Sequence, residues 1–135
     1  MTTPMHIDPT DPAPIWRQIE EQIRQLVGMG ALPRAAAVPS VRELARALRV
    51  NPATVAKAYQ RLCQQGVLEV RRGEGTFVAA DPRPLAEAER EQVLAAAAGR
   101  YAASAIGAGA TLAQAKQALQ RAWPTPARNR GGEKP

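Results

Sequence analysis

Read for the spacing of its apolar positions, the chain falls into helical stretches punctuated by glycine and proline. Ile15, Trp16, Ile19, Ile23, Leu26 and Val27 recur at helical spacing with charged residues between them, and Gly28 and Gly30 end the run. This spacing predicts an amphipathic helix starting at Pro14. Residues 31–39 hold two prolines and no periodicity, and read as a connector. A second helix begins at Ser40. Ser40 and Glu43 have the spacing of a capping box, in which each side chain satisfies a free backbone N–H of the first turn. Val41, Leu44, Ala45 and Leu48 then form an inward face. After a short turn at Arg49 and Val50, Asn51 suits an N-cap and Pro52 the first helical position, where its missing N–H costs nothing. Val55, Ala58, Tyr59, Leu62 and Cys63 repeat at three- and four-residue steps until Gly66, which stands where a left-handed C-terminal cap is expected.

The period then changes. Residues 67–71 alternate apolar and polar, Arg72-Gly73-Glu74-Gly75 makes a tight turn, and Thr76-Phe77-Val78 returns. Two short strands around a glycine-containing loop read as a β-hairpin. Two helices joined by a three-residue turn and followed at once by a hairpin predict a winged helix-turn-helix. Past Pro82 and Pro84 an alanine-rich helical stretch covers residues 85–106 and is broken by Gly107 and Gly109. Thr111 and Gln114 form a second capping box for a last helix through Trp123, with Leu112, Ala115, Leu119 and Trp123 on one side. The expected organisation is a flexible arm over 1–13, the winged helix-turn-helix over 14–80, a short helical dimerisation or effector region over 81–123, and a disordered tail over 124–135. The fold class is mostly α with a small β-hairpin.

Composition narrows the function. The apolar share is 45%, but 28 of those residues are alanine, so the core must be small and built from Leu, Val, Ile and Trp. Net charge is +6. Between Ser40 and Gly75 lie Arg42, Arg46, Arg49, Lys57, Arg61, Arg71 and Arg72 against only Glu43, Glu69 and Glu74, a local excess of four positive charges that points to a polyanionic partner. Aromatics make up 4%, too few for a platform that stacks single-stranded bases. Cys63 is the only cysteine, so no internal disulfide forms, and its place among apolar positions suits a buried thiol. The one histidine, His6, lies in the arm, which leaves no Ser-His or Cys-His nucleophile pair. No metal-ligand cluster or phosphate-cradling loop stands out, so neither enzyme activity, nor a metal, nor a cofactor is expected. No secretory signal and no run of about 18 apolar residues is present, so a cytoplasmic location without a membrane partner is expected.

The helix-turn-helix gives the charge a use. An α-helix fits the major groove, with its first turn at the base edges and the preceding helix across the backbone. Asn51, Thr54 and Lys57 share the N-terminal half of the third helix. Asn can pair with adenine, Thr can touch a thymine methyl or a phosphate, and Lys can donate to guanine, although Asn51 also serves as a plain cap. Ser40 and Arg42 open the second helix, where the positive end of the helix dipole favours a phosphate; a cap with no DNA role remains the alternative for Ser40. Arg71 and Arg72 sit at the wing tip beside Gly73 and Gly75, where the backbone can lie close to a phosphate or enter the minor groove. Arg46, Arg49 and Arg61 are weaker candidates that also read as exposed surface.

The run VPSVRELARALRVNPATVAKAYQRLCQQGVLEVRRGEGTFV, residues 38–78, closely resembles the DNA-binding domain of the GntR family of bacterial regulators. The VPSVRELA segment, the NPATV turn and the RRGEGTFV wing occur in the family's order and spacing. The helix over residues 14–27 extends the resemblance to a little over half of the chain. About 40 residues with two helices follow the wing, which is similar to the small YtrA-type subfamily. The resemblance implies that those helices dimerise the protein, and that such members often control neighbouring transporter genes. It also places Ser40, Arg42, Asn51, Thr54, Lys57, Tyr59, Arg71, Arg72 and Gly73 at positions where family members meet DNA.

The resulting expectation is a sequence-specific transcription regulator, a repressor, that binds double-stranded DNA at a palindromic operator as a homodimer. Leu94, Ile106, Leu112, Leu119 and Trp123 are the dimer-interface candidates, and closing each subunit's own core is their alternative role. A small-molecule effector is left open, because the short C-terminal part offers little room for a pocket. Two rival readings remain: a winged-helix protein-interaction module, and a ligand sensor that never binds DNA directly.

Overall fold

In the computed structural model, which describes residues 5–124, the elements run α1 (Ile15–Gly28), α2 (Val41–Leu48), α3 (Pro52–Gln64), β1 (Leu68–Arg71), β2 (Gly75–Val78), α4 (Glu87–Gly107) and α5 (Leu112–Ala122). Local chemistry sets most of these boundaries. The Ser40 hydroxyl accepts from the Glu43 amide at 3.0 Å, and the Glu43 carboxylate accepts from the Ser40 amide at 2.8 Å, so the capping box at α2 is complete. Asn51 caps α3 by accepting from the Ala53 amide at 2.8 Å, and Pro52 opens the helix. Thr111 and Gln114 cap α5 in the same reciprocal way. Gly66 ends the α3 region at φ +81°, a left-handed conformation that favours glycine, with the flexible Arg83 side chain lying over it.

The chain forms two units, one through Leu85 and one from Ala86. The first is centred on a core in which α1 and α2 both pack on α3. Ile19 and Ile23 of α1, Leu44 of α2, Val55 and Leu62 of α3, and Leu68 and Val78 of the hairpin are almost fully buried. Burial of each such side chain stabilises the fold by roughly 1.5–3 kcal/mol relative to exposure. β1 and β2 are antiparallel, with Leu68 opposite Val78 and Arg71 opposite Gly75.

Three departures from the sequence reading concern segments without periodicity. The connector is not a bare link. Ala37 bridges Phe77 in antiparallel fashion, and three backbone bonds (Ala35 amide to Val78 carbonyl, Val78 amide to Ala36 carbonyl, Val38 amide to Thr76 carbonyl) lay it along the free edge of β2. The arm over residues 5–13 is held to α1. The Gln22 side chain exchanges hydrogen bonds with the backbone of His6 at 2.9 and 2.6 Å, and Gln18 does so with Asp8 at 2.9 and 3.0 Å. Met5 and Ile7 add to the core there. The boundary between units falls after Leu85 rather than Ala80, because the Arg83 amide donates to the Gly66 carbonyl at 3.2 Å and its side chain packs over Gly66. Residues 1–4 of the arm and all but the first residue of the expected tail lie outside the described residues.

In the second unit α4 and α5 fold back on one another through the Gly109 turn, and the Tyr101 hydroxyl donates to the Ala115 carbonyl at 2.8 Å. Glu87 and Glu89 sit in the first turn of α4, where negative charge complements the helix dipole. Neither helix has a buried residue.

Candidate nucleic-acid interface

The structure presents the N-terminal ends of α2 and α3 and the wing loop on one unit. Ser40 and Arg42 are exposed at the start of α2, and Asn51 and Lys57 are exposed on α3 with Thr54 half-buried between them. Capping occupies only part of the Asn51 and Ser40 side chains. The Asn51 oxygen keeps a second lone pair and its amide keeps both N–H groups, while the Ser40 hydroxyl still has a proton to donate.

Lys57 does not hang free. Its ammonium lies 4.6 Å from the centre of the Trp16 ring on α1, with the Arg61 guanidinium at 4.8 Å and that of Arg17 at 5.5 Å from the same ring. A cation over an indole face at this range is attracted by about 0.5–1 kcal/mol at an exposed site. Trp16 thus gathers three cations where α1 meets α3. The sequence pattern assigned Trp16 to the apolar face alone; its position beside polar Arg17 at the helix start was the available signal.

Arg61 is also tied from below. Glu20 of α1, 5% exposed, accepts from Arg61 at 2.6 Å, from Arg24 at 2.8 Å and from Gln65 at 2.9 Å, and Arg24 also donates to Gln65. Burial alone would push the Glu20 carboxyl up, but hydrogen bonds from Arg61, Arg24 and Gln65 outweigh it and hold the group below the usual carboxylate range. This network locks α1 to α3 and fixes the base from which Lys57 projects.

At the wing, the Arg71 guanidinium lies 4.0 Å over the Phe77 ring and pairs with Glu69 at 3.1 Å. Arg72 is exposed at the tip. Gly73 at φ +78° lets the loop close, with the Glu74 amide donating to the Arg71 carbonyl at 2.8 Å.

Tyr59 does not join the others at the surface. It is 4% exposed, and its hydroxyl donates to the Pro39 carbonyl at 2.7 Å. Burial, with a smaller effect from the Glu43 charge, pushes its pKa far up. Tyr59 ties α3 to the residue before Ser40 and so positions the two helix starts; a contact of its own with a duplex does not follow from this placement. Cys63 is half-buried, and burial raises its pKa, which keeps it a thiol. Among the described residues no three or more His, Cys, Asp or Glu converge in a way that could hold a metal, and no helix is long and apolar enough to cross a membrane.

In the second unit, Leu94, Ile106, Leu112, Leu119 and Trp123 all line one apolar depression of about 700 Å³ between α4 and α5. Ile106, Leu112 and Trp123 are 73%, 71% and 67% exposed, so these residues do not close a core within the subunit.

Residues 16–78 match the profile of the bacterial regulatory proteins of the gntR family. Over 74 residues the chain is 42% identical to the HTH-type transcriptional repressor YtrA of Bacillus subtilis, covering 55% of this chain and 57% of that protein. The chain thus matches little more than half the length of that relative. A solved structure of YtrA from Sulfolobus acidocaldarius, a GntR-family transcription factor, is 32% identical, covers 71% of this chain and 97% of that one, and superposes with a TM-score of 0.58. The crystal structure of AraR(DBD) in complex with operator ORX1 is 30% identical and covers 55% of this chain and 98% of that one, with a TM-score of 0.50.

Proposed function

Because the chain belongs to the GntR family of bacterial regulatory proteins, we propose that it is a transcription regulator, a repressor, that binds double-stranded DNA as a homodimer at a palindromic operator. The observation that carries this reading is the presence of exposed Arg42, Asn51, Lys57 and Arg72 on one winged helix-turn-helix, at two helix starts and a wing tip. α3 enters the major groove, with Asn51, Thr54 and Lys57 toward base edges. Ser40 and Arg42 meet the backbone at the start of α2, and Arg71, Arg72 and Gly73 meet it at the wing. Tyr59 acts from beneath by positioning. Work at the chromosome puts the protein in the cytoplasm.

The occupant of the apolar depression is a second copy of the chain. Its lining is supplied by the face that α4 and α5 leave uncovered, and dimerisation there sets two recognition helices about one DNA turn, roughly 34–36 Å, apart. The proposal includes neither catalysis nor a cofactor. It gives no role to a small effector, since the depression is given to the partner copy. Leu119→Glu places a charge in that face and should convert the dimer to monomer in sedimentation, with operator affinity falling at least tenfold. A dimer that survives the charge would remove α4 and α5 from the interface.

The test of DNA recognition is an anisotropy titration of a fragment upstream of the protein's own gene against a shuffled fragment, at about 50 and 200 mM salt. A preference of 10³ or more for the upstream fragment, with affinity falling steeply in salt, supports the reading. Absence of binding to any duplex at low salt overturns it in favour of a protein-interaction module.

A further inference from the structure

Between the outer face of α2 and the start of α3 lies a shallow depression of about 410 Å³, lined by Arg42, Ala45, Arg46, Arg49, Val50 and Pro52. Three guanidinium-bearing side chains border it, and no acid does. All three arginines are exposed, and none makes an ion pair or side-chain hydrogen bond among the described residues. The nearest acid in sequence, Glu43, is committed to the Ser40 cap; Arg46 acts on it only through space.

The local backbone gains little from this arrangement beyond the complement that Arg46, in the last turn of α2, gives to the helix dipole. Arg42 and Arg46 are four residues apart on α2, where like charges repel. Arg49 is the C-cap of α2 at φ +59° and ψ +46°, a left-handed conformation in which a Cβ is disfavoured and glycine or asparagine is the usual occupant. The turn would form more readily with glycine there. The rest of the wall leaves an anion unopposed, since the Ala45, Val50 and Pro52 side chains offer no competing acceptor.

We infer that this depression is a phosphate-binding site, in which Arg46 and Arg49 join Arg42 to hold one tetrahedral oxyanion by charge-assisted N–H···O bonds. The inference rests on the proposed DNA-binding role. Its expected occupant is a backbone phosphate of the operator, because the site adjoins Asn51 and Pro52 at the start of the helix proposed for the groove. Free phosphate is the other source of the same chemistry. Arg46 and Arg49 thereby extend the interface beyond the two helix starts and the wing.

The experiment compares the full chain with Arg46→Gln, Arg49→Gly and the double variant. Arg49→Gly relieves the left-handed strain, so its thermal midpoint should stay level or rise, which separates a binding loss from a folding loss. Wild type should lose affinity between about 50 and 200 mM salt more steeply than the double variant. One released phosphate contact lowers the slope by about 0.9, so the loss over that range shrinks by about 3.5-fold. In parallel, inorganic phosphate and pyrophosphate are titrated while arginine Nε–H resonances are followed by NMR. A shallower salt slope in the double variant assigns the site to the operator backbone. An unchanged slope, with Arg46 and Arg49 resonances of wild type moving on phosphate addition, retains the site and assigns it to a free anion. Wild-type operator binding with an unchanged slope and no phosphate response overturns the site while leaving the proposed function intact. Loss of duplex binding by wild type itself is the failure of that function instead.

Discussion

Tyr59→Phe separates a residue that touches DNA from one that positions those that do. The change removes one oxygen from a side chain that is 4% exposed and deletes the 2.7 Å bond to the Pro39 carbonyl. A net hydrogen bond is worth about 1 kcal/mol, and a stranded buried acceptor raises the loss toward 3 kcal/mol. Pro39 is half-buried rather than buried, so the lower figure applies. For a unit of this size about 1 kcal/mol lowers the melting midpoint by roughly 4–8 °C. The assay is thermal unfolding followed by Trp16 emission in a Trp123→Phe background, so that only the winged unit is read. Operator affinity should fall by no more than about fivefold, since less than about 1 kcal/mol of positioning is lost. The salt slope should be that of wild type, because no phosphate contact disappears. An unchanged midpoint together with a slope reduced by about 0.9 would refute the reasoning and put the hydroxyl on a phosphate.

Two further outcomes follow from the α1–α3 contact. Glu20→Gln leaves Arg24 and Arg61 without their shared carboxylate and should destabilise the winged unit by about 2 kcal/mol at neutral pH, read as a lower urea midpoint. The Glu20 carboxyl is held below its ordinary pKa, so its stabilisation is fully present above about pH 4.3 and is lost as pH falls through the lower folded value. The gap between wild type and variant should therefore close on acidification, and a constant gap would contradict the assignment. Trp16→Leu keeps an apolar residue on α1 but removes the ring that Lys57 and Arg61 face, and should weaken operator binding about threefold with the salt slope unchanged. Equal affinity would show that the ring does not order Lys57.

The parts legible in the sequence are those whose cause is local. Capping pairs Ser40/Glu43 and Thr111/Gln114, the Asn51-Pro52 start and the Gly66 stop each act within a few residues, and the elements appear where these signals lie. Segments whose order comes from distant partners were not legible. The arm looked loose because the glutamines that hold it, Gln18 and Gln22, read as the polar face of α1. The connector lacked any period because its order comes from pairing with β2. The candidate site divides along the same line. Charge and spacing singled out Arg42, Lys57 and Arg72, while the stacking of Lys57 on Trp16 and the burial of Tyr59 depend on how α1 and α2 pack against α3. Arg46 and Arg49 were visible as charges, but not as walls of one depression.

The pairing of Ala37 with Phe77 has a consequence for the order of folding. It joins positions forty residues apart, and α2, α3 and β1 all lie inside the loop it closes. Closing a flexible loop of that length costs about 3 kcal/mol in chain entropy beyond a constant. The seam's few backbone bonds do not offset that from an open chain, whereas a helical trio already collapsed around Leu62 has closed most of the loop beforehand. The wing's outer seam is therefore the last part of the winged unit to zip and the first to open. Its partial opening loosens the chain that leads into Ser40 while α1 and α3 stay packed.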